Sequence, residues 1–280
     1  EYLPEEEAKV SALDRGFVFA DGVYEVIPAY GGRLLRLEQH LQRLDNSLDG
    51  IRLANPFDHM QWAAILEEIV KLNSENNEDL SIYLQVTRGA AKRDHVFPDQ
   101  TKQTVFVMAT PMSAVPAEQL ENGIAAIIHD DIRWRYCHIK SIALLPNTLM
   151  RQVAREAGAA EAILYRDDQI TEGAASNVFI VHHGRILTPR KDECLLPGIT
   201  RDLVLEIAAD NGLNCAEADI SMRMLREAEE IWVTSSTKEI LPVTKLDDEP
   251  VGDGMPGPVW RDMLDRYQKY KARLRTGSAQ

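Results

Sequence analysis

The chain has 280 residues, 45% hydrophobic and 27% charged, and a formal net charge of −13. That length exceeds one small core and predicts two domains with ample apolar material. The acidic balance excludes nucleic acid or an anionic membrane surface as a main partner, because both require a basic field. The three cysteines, Cys137, Cys194 and Cys215, are far apart and lack C-x-x-C spacing. They indicate neither a disulfide framework nor a zinc site, and a reducing cytoplasm is the expected compartment. The opening Glu1-Tyr-Leu-Pro-Glu-Glu-Glu7 is acidic where a secretory signal is basic and then apolar, and no apolar run approaches membrane-spanning length. It reads as if it begins inside a strand or turn, which predicts native residues before Glu1.

In chain order, Gly16 to Tyr30 is rich in Val, Phe, Tyr and Ile, and Gly31-Gly32 then turns it into Arg33 to Leu37, a predicted β-hairpin. From Leu37 the apolar residues Leu41, Leu44, Leu48 and Ile51 fall at helical spacing, which places Arg43 off the buried line. Trp62, Ile65, Leu66, Ile69 and Val70 write a second helix, ended by the polar run Asn73 to Asn77. Leu80 to Thr87 alternates as a strand, and Thr104 to Thr110 is another. Pro111, Pro116 and small residues predict an interdomain linker at 113–119, between a smaller domain at 1–112 and a larger one at 120–280. The second part reads as a strand at Ile124 to Ile128, a helix from about Asn147 to Ala157, and strands at Glu161 to Tyr165, Asn177 to Val181 and Arg185 to Thr188. A helix follows from Pro197-Gly-Ile-Thr200 to about Asp210, then a short one capped by Ser221, a strand at Ile231 to Thr234 and a final helix over Pro258 to Arg273. The fold class is mixed α/β (α+β), two layers per domain, without internal repeats.

Five segments carry residues suited to chemistry. Lys140 follows an apolar-aromatic run, and a lysine shielded from water becomes a neutral nucleophile, although a solvated lysine at a strand end is the commoner use. Leu196-Pro-Gly-Ile-Thr-Arg201 is a turn at a helix start, where the amides of Ile199 and Thr200 suit phosphate or serve ordinary capping. Val233 to Thr237, with Ser236, offers further hydroxyls or is simply a polar loop at a strand end. Glu172 precedes a turn and a strongly apolar strand. A carboxylate there stays ionised only beside a positive or proton-donating partner, such as a pyridinium, unless it bonds its own backbone. The loop Arg88-Gly-Ala-Ala-Lys-Arg-Asp-His95 puts Arg93 and His95 two apart, able to converge on one carboxylate or to stand solvated. The His182-His183 pair reads as structural, and no metal site is expected.

Together these segments resemble the class IV (fold type IV) pyridoxal-phosphate aminotransferases, most closely the D-amino acid branch. The matching stretches are Asp14 to Glu25, His40 to Leu44, Tyr83 to Gly89, Asp131 to Trp134 with Ile139-Lys-Ser141, Thr171 to Gly173 with Ser176 to Phe179, and Gly198 to Arg201. They span nearly the whole chain in the family's order. The resemblance implies pyridoxal 5′-phosphate as cofactor and Lys140 as the Schiff-base lysine and proton carrier. It implies Glu172 opposite the pyridine nitrogen, Arg43 on the phosphate with Ile199, Thr200 and Ser236, and Leu196, Ser176 and Asn177 about the cofactor. Tyr24, Arg88, Arg93 and His95 match the substrate-binding set, with the last two and Tyr24 on the α-carboxylate. The implied reaction moves an amino group from a D-amino acid, D-alanine above all, to a 2-oxo acid such as 2-oxoglutarate by a ping-pong route in a cytoplasmic homodimer. Two departures stand out. Ala174 and Ala175 replace serines of the D-amino acid branch, and Leu145 stands where branched-chain enzymes carry a tyrosine. The competing readings are a branched-chain L-amino acid aminotransferase, an R-selective amine transaminase, an aminodeoxychorismate lyase, and a non-catalytic binding module.

Overall fold

The computed structural model describes residues 1–74 and 78–278. After a 3₁₀ turn at Glu5–Glu7, helix α1 (Arg15–Phe19) leads into β1 (Gly22–Tyr30), β2 (Arg33–Leu34), α2 (Leu37–Gly50), α3 (His59–Asn73), β3 (Leu80–Thr87) and β4 (Thr104–Pro111). These four strands form an antiparallel sheet in the order β2-β1-β3-β4. Helices α2 and α3 cover one face of it, where Val23, Ile27, Leu41, Leu44, Trp62, Ile82 and Leu84 make a single core. The alternation in β3 is the cause: Leu80, Ile82, Leu84 and Val86 are buried, while Tyr83 and Gln85 on the other face are only half so. Each Leu or Ile buried this way stabilises the fold by about 1.5–3 kcal/mol.

The rest of the described chain gives α4 (Ala117–Asn122), β5 (Ile124–Asp130), α5 (Leu145–Glu156), β6 (Glu161–Arg166), β7 (Gln169–Gly173), β8 (Asn177–His182), β9 (Arg185–Pro189), α6 (Ile199–Asp210), β10 (Cys215–Ala218), α7 (Met222–Arg226), β11 (Glu230–Ser235), β12 (Glu239–Leu246), β13 (Glu249–Pro250) and α8 (Pro258–Thr276). Their sheet runs β10-β9-β8-β11-β12-β5-β6-β7, with β13 on β12, and mixes parallel with antiparallel pairs. Its central strands are buried on both faces, which explains their continuous apolar runs. In β11, Ile231 and Val233 enter one core while Trp232 enters another, with Phe179, Trp260 and Tyr267.

The structure corrects several readings. Gly16 to Phe19 is helical, because Asp14 caps the turn by accepting the Gly16 amide at 2.8 Å, and Ala20 closes it with φ 55°. The hairpin therefore begins at Gly22. It turns through Gly31 and Gly32, whose φ values of 57° and 78° suit a type I′ turn. Arg43 is buried rather than off the buried line, because the Glu25 carboxylate and the Pro197 carbonyl receive its guanidinium there. The 113–119 stretch already contains the start of α4 at Ala117. Helix α3 ends at Asn73, and residues 75–77 of the polar run lie outside the described residues. Strands β7, β10, β12 and β13 were not expected.

Candidate active site

A cavity of about 850 Å³ opens between the two sheets, and Tyr24, Arg43, Lys140, Glu172, Thr200 and Ser236 all line it. Lys140 reaches it on an irregular loop that leaves β5 and is fastened to the first sheet. The Lys140 amide donates to Ser47 Oγ at 3.1 Å, and the Lys140 carbonyl accepts from the Tyr24 amide at 3.0 Å. Next in the chain, Ser141 pairs with Val23 and the Ile142 amide donates to the Gly22 carbonyl. The ammonium then sits 4.1 Å from the centre of the Tyr24 ring, a cation–π contact that points it into the cavity. Cys137 is also in the wall, but burial pushes its thiol up to about 12, so it stays protonated and inert near neutrality.

One corner is built on Arg43. Its Nε and Nη2 donate to the two oxygens of Glu25 at 2.8 and 2.7 Å, and Nη1 donates to the Pro197 carbonyl at 3.0 Å. His40 Nδ1 lies 2.8 Å from the same carboxylate. Burial alone raises Glu25, yet the Arg43 charge and the Arg43 and His40 hydrogen bonds outweigh it and hold the carboxyl well below its usual range. Burial lowers His40, so the ring is neutral near pH 7. Tyr24 and Glu25 are neighbours on β1, and strand alternation sends the tyrosine to the cavity and the glutamate back to α2.

The opposite corner is built on Glu172, on β7. Oε2 accepts from Asn177 Nδ2 and from the Leu196 amide, both at 3.1 Å, and Oε1 accepts from Arg133 Nη1. Burial pushes this carboxyl up to about 7 against the opposing pull of Arg133 and of the Leu196 amide. A buried carboxylate so poised takes a further positive partner from the cavity side, as a protonated ring nitrogen provides. Asn177 also donates to the Leu196 carbonyl at 2.8 Å. A side chain on Gly198 would collide with the Asn177 amide oxygen, so only glycine lets α6 approach this closely.

Between the corners, α6 starts at the cavity with Gly198 as N-cap and no side chain closing its first amides. The hydroxyls of Thr200 and Thr234 are buried in the same wall and have no hydrogen-bond partner among the described residues. Uncapped helix amides, two unpartnered hydroxyls and the Arg43 guanidinium together suit a multidentate anion, and a phosphate monoester has the required acceptors. A pyridoxal phosphate fits this lining: Arg43 and the α6 amides could hold its phosphate, Glu172 could face its ring nitrogen, and Lys140 could take its reactive carbon.

Of the residues singled out in the sequence, Lys140, Arg43, Glu172, Tyr24, Ser176, Asn177, Leu196, Ile199, Thr200 and Ser236 all line this cavity. The Ser176 hydroxyl donates to Glu161 at 2.9 Å, which fixes the turn rather than leaving it free. Arg88, Arg93 and His95 do not line it. Arg88 is buried, donating to Asp21 and to the carbonyls of Ile51 and Arg52, so its cationic head braces the loop. Arg93 and His95 are exposed and gather beside Phe19 instead, Arg93 5.2 Å and His95 5.3 Å from its ring. Sequence reasoning missed Glu25, His40, Arg133 and Thr234. The first three lie inside the stretches that carry the resemblance, and Thr234 lies in the hydroxyl cluster after Val233.

The family model described as amino-transferase class IV matches residues 22–246. The chain belongs to that family and is a pyridoxal-phosphate-dependent aminotransferase of the fold type IV architecture. A D-alanine aminotransferase of Staphylococcus haemolyticus is 39% identical over 270 residues, 96% of this chain and 95% of that one. A branched-chain amino acid aminotransferase of Escherichia coli superposes with a TM-score of 0.91 at 27% identity, covering 100% of this chain and 94% of that one. A branched-chain aminotransferase of the thermophilic archaeon Thermoproteus uzoniensis, solved with norvaline, superposes with a TM-score of 0.85 at 27% identity, covering 95% of this chain and 91% of that one.

Proposed function

We propose that this enzyme transfers the amino group of a D-amino acid, with D-alanine as the leading donor, to a 2-oxo acid such as 2-oxoglutarate. The observation that carries the reading is that Lys140, Glu172 and the Arg43–α6 cup converge on one cavity. Nothing but a group bearing an anion at one end, a basic ring nitrogen at the other and an electrophilic carbon between them uses all three. When bound, pyridoxal phosphate supplies the electron sink that makes the substrate Cα–H acidic. Lys140 supplies the amine that holds the reactive carbon and moves the proton at Cα, positioned by its main-chain bonds to Ser47 on α2 and Tyr24 on β1. Glu172 faces the ring nitrogen, while Arg43 and the α6 amides hold the phosphate end. The Tyr24 ring packs against the Lys140 side-chain nitrogen at 4.1 Å.

The choice of the D-amino acid branch over the branched-chain branch rests on two things. The D-alanine relative is the more similar in sequence over nearly its full length, and Leu145 replaces the tyrosine of branched-chain enzymes. Ping-pong kinetics with D-alanine and 2-oxoglutarate, and negligible turnover of L-alanine, are expected. Robust L-leucine transamination with no D-alanine activity sinks this reading.

The same reading includes a homodimer. Arg93 and His95 stand exposed, away from the cavity of their own chain, so if they trap the α-carboxylate they do so for a second copy. Mixing a Lys140→Ala chain with an Arg93→Ala chain then restores activity that neither has alone, since one of the two cavities becomes whole. It also includes two domains joined at 113–119, supported by the two separate sheets, and a reducing cytoplasm, supported by three free cysteines.

A further inference from the structure

We infer that Asp131 and Arg133 form a positioning pair that keeps the Glu172 carboxylate aimed and ionised, so that this pair sets the acid limit of the reaction. The inference deepens the reading above and rests on it.

The Arg133 side chain is only 6% exposed and its guanidinium is divided. Nε and Nη2 grip both oxygens of Asp131 at 2.9 and 2.8 Å, Nη2 also donates to the Cys194 carbonyl at 3.1 Å, and Nη1 alone turns to Glu172. The Asp131 side chain is completely buried and fixed from two more sides, by the Thr171 hydroxyl at 3.0 Å and by Arg166 at 3.3 Å. Consecutive residues of β7 therefore hold both members of the pair, Thr171 on Asp131 and Glu172 on Arg133. A planar guanidinium gripped along one edge cannot swing, so its remaining N–H is a directional donor at a fixed place. Neither Asp131 nor Cys194 contributes to the cavity wall, so the outer half of the network serves Glu172 through Arg133 and touches no ligand. Losing the Nη1 donor leaves Glu172 with the Asn177 and Leu196 bonds only, both to its other oxygen, in a buried setting that favours the protonated acid.

The test uses the holoenzyme and the variants Arg133→Gln, Arg133→Lys and Asp131→Asn. In Arg133→Gln, kcat falls by about tenfold or more with KM nearly unchanged, and the acid limb of the kcat profile moves to higher pH by about one unit, the shift expected for loss of one charged hydrogen-bond donor. The pH at which the visible band of bound pyridoxal phosphate changes moves the same way. Arg133→Lys restores part of the shift, and Asp131→Asn gives a smaller one of the same sign. A soluble, cofactor-loaded variant at 133 or 131 whose acid limb and spectral transition match the parent overturns the inference while leaving the proposed function intact. A parent that takes up no pyridoxal phosphate overturns both. One measurement needs no variant at 133. The infrared difference between the parent and Glu172→Gln holoenzymes at pH 8 shows a carboxylate, and a protonated carboxyl signal there overturns the inference even if the variants at 131 and 133 do not fold.

Discussion

The two charged corners of the cavity hold buried carboxylates beside buried arginines, yet they behave oppositely. Glu25 has Arg43 on both of its oxygens and His40 beside one, and its carboxyl sits well below the usual range. Glu172 receives one arm of an arginine that is committed to Asp131, and burial pushes it up to about 7. The difference teaches which glutamate is finished and which is waiting. Glu25 is a closed pair whose task is to hold Arg43, whereas Glu172 is short of positive charge until a cationic group enters the cavity beside it.

The largest effect tests the lysine that stands between the corners. Lys140→Ala should lower kcat by roughly 10²–10⁴-fold, the usual worth of a positioned proton carrier, and should abolish borohydride fixation of the cofactor. Peptide mapping of the reduced parent checks the second half, with the label expected on Lys140 alone.

Breaking the closed pair comes next. Arg43→Ala strands the buried Glu25 charge and should destabilise the fold by about 3–5 kcal/mol, with pyridoxal phosphate lost on dialysis and donor preference unaltered. Urea unfolding at pH 8 and the cofactor content of the dialysed protein measure the two effects.

The open carboxylate predicts a pH dependence. In the cofactor-free chain the Glu172 pKa is raised from the ordinary 4.5 to about 7, so the folded state binds the proton more tightly than the unfolded one. Its stabilising contribution is complete below pH 4.5 and is lost as pH rises through about 7, a change on the order of 3 kcal/mol. Comparing the Tm of cofactor-free parent and Glu172→Gln across that window isolates the term, because the glutamine has no proton to lose. Curves that stay parallel would remove the contrast between the corners. The smallest effect concerns the joint between them. Gly198→Ala pushes Asn177 off Glu172 and should cost about 1–3 kcal/mol as overpacking, with weaker cofactor retention measured by dialysis.

Much of this was legible in the sequence because the local signals agree with one another. The β3 alternation, the Gly31-Gly32 turn and the Ser221 cap each specify their element without help from distant residues. Gly198-Ile-Thr200 likewise announced a helix start, and that start lies on the cavity wall. What was not legible depends on partners far along the chain. Helical spacing placed Arg43 outside the core, because periodicity scores a residue by its own polarity and cannot foresee a carboxylate arriving from β1. Gly16 to Phe19 looked extended by composition, and the Asp14 cap overrode it. Strand β7 was hidden because its run, Gln169 to Gly173, mixes polar and apolar residues that are all buried from Ile170 onward. Arg93 and His95 do come together, beside Phe19, but their spacing alone could not show that they stand outside the cavity of their own chain.

The fastening of Lys140 has a consequence for how the chain assembles. Lys140 is encoded in the second half of the chain, yet its amide and carbonyl are bonded to Ser47 and Tyr24 in the first. Its backbone path therefore depends on contacts between the two halves of the chain. Cleaving the chain between Pro111 and Pro116 would leave each sheet with its own strands but split the lysine from its clamps. Neither fragment would turn yellow with pyridoxal phosphate, and the colour that appears on mixing them would report docking of the halves in real time.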